Sequence, residues 1–112
     1  MIHASTRGAG HSKLRHALAN QLPFRTSGAL RGDAGRPPTW GQLYGDDLER
    51  IKADRDRIRY YVMSYATPIA WVTDDGTVYR VTGRFSMTTS HHMGHLYSLE
   101  TGTTGPRTYD HA

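Results

Sequence analysis

The chain has 112 residues, enough for one compact domain and too few for two of ordinary size. A hydrophobic fraction of 37% with 12 Gly points to a modest core and a large share of loop or tail. Fourteen Lys and Arg against ten Asp and Glu leave a formal charge of +4, and the lack of Cys excludes disulfides, thiolate chemistry and Cys-based zinc sites. Arg far outnumbers Lys13 and Lys52, which favours forked contacts to phosphate or carboxylate, yet acidic residues interleave the charge in mid-chain and dilute a nucleic-acid patch. No window approaches the roughly 20 apolar residues of a membrane span and no apolar leader opens the chain, so the expectation is a cytoplasmic protein without a membrane partner.

Residues 1–10 are small and polar with no period, and a flexible start is expected. Over residues 11–22, Leu14, Ala17, Leu18 and Leu22 form one apolar stripe at helical spacing, with Ser12 as a cap and Pro23 as a stop. Residues 24–39 have loop composition, rich in Gly and Pro, with Phe24 and Leu30 as anchors. Trp40, Leu43 and Tyr44 make a small apolar group that folds back on the core.

Residues 46–57 predict a second helix capped by Asp46 or Asp47, with Leu48 and Ile51 inside. Glu49 with Lys52, Asp54 with Arg57 and Asp56 with Arg59 give it a solvated, salt-bridged face. The paired carboxylates Asp46/Asp47 and Asp54/Asp56 fit such a face better than they fit a metal or acid–base site.

From Arg59 the period becomes two, and Tyr60, Tyr61 and Tyr65 favour a strand over residues 59–65. Thr67 and Pro68 break or bend the ladder. Residues 69–73 and 77–81 flank Asp74, Asp75 and Gly76, the strongest hairpin signal in the chain. Residues 84–89 read as a further strand, residues 90–99 as a short helix or last strand, and residues 100–112 as a flexible tail.

Ser64, Tyr65, Ala66, Thr67, Pro68, Ile69, Ala70, Trp71 and Val72, followed by Phe85, Ser86, Met87, Thr88, Thr89, Ser90, His91 and His92, carry a resemblance. They are similar to the double motif of a small uncharacterised family of actinobacteriophage and plasmid proteins, in which a Ser-Tyr-x-Thr-Pro-Ile-Ala-Trp strand precedes Tyr-Ser-x-Thr-Thr-Ser-x-His. The resemblance implies a mobile-element product working in a bacterial host's cytoplasm, and it brings no activity with it. Phe85 stands where that pattern has Tyr, and His92 where Gln is expected.

Three constellations are candidates for chemistry. His91, His92 and His95 sit at spacings that put two imidazoles on one helical face, so His91 and His95 are weak metal-ligand candidates. Surface or hydrogen-bonded histidines explain them more simply. Ser86, Thr88, Thr89 and Ser90 precede His91, but no nucleophile elbow is present, so no catalytic residue is assigned. Tyr60, Tyr79, Arg80 and Arg84, with the N-terminal Arg7, Lys13, Arg15 and His16, could form an aromatic and basic surface.

The fold class expected is α+β: a small twisted antiparallel sheet of about four strands, with a barrel as the alternative, covered by one or two short N-terminal helices. A single domain spans residues 11–99. The function expected is a non-enzymatic binding protein of phage or plasmid origin, without a cofactor, that engages a host bacterial protein or itself through the aromatic sheet face. The binding candidates are Tyr60, Tyr79, Arg80, Arg84, Ser86, Thr88, Ser90, His91 and His92. Nucleic-acid binding by an Arg/Tyr face is the alternative, and a His-dependent metal-binding or hydrolytic protein is the second alternative.

Overall fold

The computed structural model describes residues 2–5, 10–83, 96 and 99. It is α+β, as the sequence expects: two helices pack on an open six-stranded sheet whose strand order follows the chain. The strands are β1 (Ile2–Ala4), β2 (Phe24–Thr26), β3 (Leu30–Ala34), β4 (Ile58–Ser64), β5 (Thr67–Thr73) and β6 (Val78–Arg80). Helix α1 (Gly10–Ala19) joins β1 to β2, which run parallel, and every other neighbouring pair is antiparallel. Helix α2 (Gly45–Asp54) ends in a 3-10 turn (Arg55–Arg57) before β4.

Several expectations are corrected. Residues 2–4 are a strand, because Ile2 pairs beside Phe24 and Ala4 reaches the core. The sheet does not close into a barrel, and it has more strands than expected because residues 24–34, read as loop, contribute β2 and β3. Strand β3 lacks strong β-formers and is held by five register pairs to β4. The expected strand over residues 84–89 lies outside the described residues.

Helix α1 starts at Gly10, so Ser12 lies in its first turn and does not cap it. Its end is a Schellman motif. Gln21 takes a φ of 54°, its amide donates to Leu18 O at 3.2 Å, and the Leu22 amide donates to Ala17 O at 2.8 Å. Pro23 follows directly, as its role as a stop requires. Helix α2 has Tyr44 at its N-cap position, leaving Asp46 and Asp47 in the first turn. Of the expected ion pairs only Glu49 with Lys52 forms; Asp54 takes Arg50, Asp56 takes Arg36 and Arg55, and Arg57 reaches Asp74 and Asp75.

Register partners share a face of the sheet, so rows can be read across it. Phe24, Gly32, Val62, Ala70 and Arg80 form one row on the first face. Asp33, Tyr61, Trp71 and Tyr79 form a row on the second. All seven residues of β5 are buried. Pro68 sits beside a register shift in the β4–β5 ladder, the irregularity expected where a strand residue has no amide to donate. The Tyr60 hydroxyl, on the first face, donates to Leu22 O just past α1 at 2.8 Å, and Leu14, Ala17 and Leu18 of α1 are buried in the same core.

Gly32 lets β2 and β4 side chains meet across β3. A Cβ there would lie 2.5 Å from the Phe24 ring and 2.6 Å from the Tyr60 hydroxyl, which is already fixed on Leu22. Gly32→Ala is expected to destabilise the fold by about 1–3 kcal/mol by overpacking, measured by urea unfolding.

Candidate functional site

Helix α2 covers the second face with an unusual inward stripe of Asp47, Ile51 and Asp54. Their spacing of four and three residues is that of a core-facing stripe, here with carboxylates at both ends. Asp47 is 1% exposed. Its Oδ1 accepts from the Tyr79 hydroxyl at 2.7 Å, the Thr82 amide at 2.8 Å and the Thr82 hydroxyl at 3.0 Å; its Oδ2 accepts from the Gly83 amide at 2.7 Å. At the other end, Asp54 Oδ2 accepts from Trp71 Nε1 and from Arg50 Nε, each at 2.9 Å. Trp71 and Tyr79 pack at 4.9 Å between ring centroids, and the Arg50 guanidinium lies 4.8 Å over the Tyr79 ring.

Burial pushes the Asp47 carboxyl up, but donation from Tyr79, Thr82 and Gly83 outweighs it and holds the group below its ordinary value. Burial and the Asp47 anion push the Tyr79 phenol up. Asp47 therefore acts as a structural acceptor with both oxygens engaged.

The same end of the sheet gathers its turns. Residues 65–66 link β4 to β5, with Ser64 paired to Thr67 on either side. The Tyr65 amide donates to Ala29 O at 3.2 Å, and the Gln42 amide donates to Thr67 Oγ1 at 3.0 Å. Gly41, at a φ of 51°, runs so close to the turn that a Cβ would strike the Ala66 carbonyl. The Tyr44 ring lies over Gly83, where a built Cβ would come within 3.0 Å of it.

Among the described residues two large hydrophobic side chains are exposed at this end, Tyr65 at 59% and Tyr44 at 50%. Tyr65 also has a φ of 57°, in the left-handed region that glycine and asparagine occupy more easily.

Of the sequence-derived binding candidates among the described residues, Tyr60 and Arg80 share the first face and Tyr79 lies on the second. Tyr60 is buried on the first face, with its hydroxyl on Leu22. Burial first, and then the Asp33 carboxylate, push its phenol up. Tyr79 is on the second face, bound to Asp47. Arg80 is on the first face and donates to the carbonyls of Leu96 and Leu99 at 3.4 and 3.2 Å. Arg84, Ser86, Thr88, Ser90, His91, His92 and His95 lie outside the described residues.

Asp47, Asp54 and Tyr65 were missed as special positions. For the aspartates the signal was their place in the apolar stripe with Ile51. For Tyr65 it was a single aromatic between the end of a β run and Thr67-Pro68.

Because the folded Asp47 value lies below the ordinary 3.8, its stabilisation is present above that pH and is lost as pH falls through the lower folded value. Asp47→Asn replaces an acceptor with a donor facing N–H and O–H groups. It is expected to cost about 1–3 kcal/mol at neutral pH and to flatten the acid limb of stability, measured by urea unfolding across acid to neutral pH.

The model of a family of unknown function, DUF8033, matches residues 13–110 of the chain. No curated protein and no solved structure matches it.

Proposed function

We propose, from the premise that the chain belongs to the DUF8033 family, that it is a non-enzymatic binding protein of phage or plasmid origin. It engages a host protein in the bacterial cytoplasm through the turn end of the sheet, with Tyr65 and Tyr44 as anchors. No helix among the described residues is long and apolar enough to cross a membrane.

Tyr65 is the observation that carries this reading. Its neighbours have internal tasks: Ser64 is buried, Thr67 accepts from Gln42, Pro68 sits at the ladder irregularity, and Trp71 binds Asp54. Tyr65 is 59% exposed on a left-handed backbone that disfavours any bulky residue. Binding accounts for a tyrosine there, since an exposed amphipathic ring anchors protein interfaces at low entropy cost. Tyr60 and Tyr79, two candidates of the sheet-face version of this reading, have their hydroxyls engaged on opposite faces. Arg25, Arg36, Arg50, Arg55 and Arg57 are each paired with an aspartate, which favours the protein-binding reading over a phosphate-binding use of these five arginines.

The test is capture of a partner from actinobacterial lysate by the wild-type chain, Tyr65→Gly and Tyr44→Ala. Glycine relieves the left-handed strain and adds chain entropy in the unfolded state, so Tyr65→Gly is expected to stay within about 1 kcal/mol of wild-type stability. Capture of one reproducible partner, lost in Tyr65→Gly at unchanged stability, is the expected result. Capture that ignores both substitutions, or no reproducible partner at all, overturns the proposal. A Tyr65-dependent dimer in sedimentation would assign the surface to self-association instead.

A further inference from the structure

Charge is unevenly spread along the chain. Residues 1–32 contain five Lys and Arg and none of the ten Asp and Glu, so the remainder is close to neutral. The fold turns this bias into a surface. Arg25, Arg36, Arg50, Lys52, Arg55 and Arg57 each lie against a carboxylate. Arg59 donates to Gln21 Oε1 at 3.1 Å, and Arg80 to the carbonyls of Leu96 and Leu99. Arg31 is half-buried in the sheet. Lys13 and Arg15 are exposed with neither an acidic partner nor a neutral acceptor among the described residues, and both belong to α1.

Their placement follows from what the helix buries. Leu14, Ala17 and Leu18 face the core. At about 100° per residue, Lys13 and Arg15 then emerge about 160° apart, one on each shoulder of the helix. Ser12 and His16, both exposed, lie between them on the outer face. Asn20 orients the His16 ring. Its Nδ2 donates to His16 O at 2.9 Å, which identifies that atom as the amide nitrogen, and the same Nδ2 lies 3.2 Å from His16 Nδ1. Nδ1 is therefore the acceptor of the neutral ring, and Nε2 carries the N–H. The outer face thus presents two cations, a hydroxyl and a ring N–H, and no carboxylate.

That pattern selects a ligand. A bilayer needs an exposed apolar side chain to insert, and a protein interface needs an aromatic or aliphatic anchor at its centre. The outer face of α1 has neither, since the exposed large hydrophobics among the described residues are Tyr44 and Tyr65. Single-stranded nucleic acid needs aromatic platforms on which bases stack. The backbone of a duplex needs none of these, being held by cations and small polar groups across a wet interface. A helix with its side chains is about 10–12 Å across and the major groove about 12 Å wide, so cations on opposite shoulders match phosphates of both strands.

We propose that the outer face of α1 binds the phosphate backbone of duplex nucleic acid through Lys13 and Arg15, with Ser12 and His16 between the strands and without reading sequence. The inference does not rest on the Tyr65 reading, and Tyr65→Gly should leave this binding intact.

The measurement is fluorescence anisotropy of labelled DNA duplexes with the full chain, titrated from low to high sodium chloride. Two duplexes of different sequence should bind alike, with affinity falling as salt rises. Each phosphate contact contributes about 0.9 to the slope of log affinity against log salt, so Lys13→Gln/Arg15→Gln should flatten that slope by about 1.8 and each single variant by about half as much. The charge-matched control Arg36→Gln/Lys52→Gln removes cations already paired with Asp56 and Glu49, and it should leave the slope unchanged. Urea unfolding of each variant separates lost binding from lost folding. No duplex binding at low salt, a slope that the α1 substitutions leave intact, or equal flattening in the control overturns the proposal. Tighter binding to single-stranded DNA, to poly-glutamate or to phosphatidylglycerol vesicles than to duplex overturns it as well.

Discussion

The packing of the second face depends on the Asp47 carboxylate. The chain leaving β6 presents the amides of Thr82 and Gly83 and the hydroxyls of Tyr79 and Thr82, and one buried anion accepts from all of them. An apolar residue at position 47 would leave those donors orphaned, so the cost of burying a charge is offset by what it satisfies. Asp54 repeats the device near the other end of α2 by binding Trp71. Two such points, with Ile51 between them, fix both the rotation and the sliding of α2 over β5 and β6. They also explain how all of β5 stays buried beneath a helix whose outer face is strongly charged.

Much of this architecture was legible in the sequence. The hairpin around Asp75 and Gly76 was, because Gly76 takes a φ of 89° and Asp75 Oδ1 accepts from the Thr77 amide at 3.0 Å and the Thr73 hydroxyl at 2.6 Å, local chemistry that needs no distant partner. The stripe of α1 and its stop at Pro23 were legible for the same reason. Strands β1, β2 and β3 were not. Residues such as Arg31, Gly32 and Asp33 are poor β-formers, and they become a strand because β4 beside them is a strong one. Tertiary context decided those segments, and no local period records it.

The site was legible only in outline. Tyrosines and arginines are conspicuous in the sequence, but two of the candidates spend their hydroxyls inside the protein, and which face each one joins depends on register. The aspartates were read as solvated because charged runs usually are; only their coincidence with the Ile51 stripe marks them as inward. Tyr65 was placed at the end of a strand, where any exposure is ordinary. At the tip of a two-residue turn with a left-handed backbone, the same side chain needs an explanation.

The strand order also bears on how the chain reaches this state. Every strand pairs with its neighbour in sequence, so each antiparallel addition from β2 to β6 extends an existing edge. The link between β4 and β5 is the shortest and closes with the least loss of loop entropy. The β3–β4 pairing must instead enclose α2 and its flanking loop, and the parallel β1–β2 pairing must enclose α1. The sheet is therefore kinetically layered: a locally encoded centre that forms from short-range contacts, and an amino-terminal margin whose pairing waits on a helix.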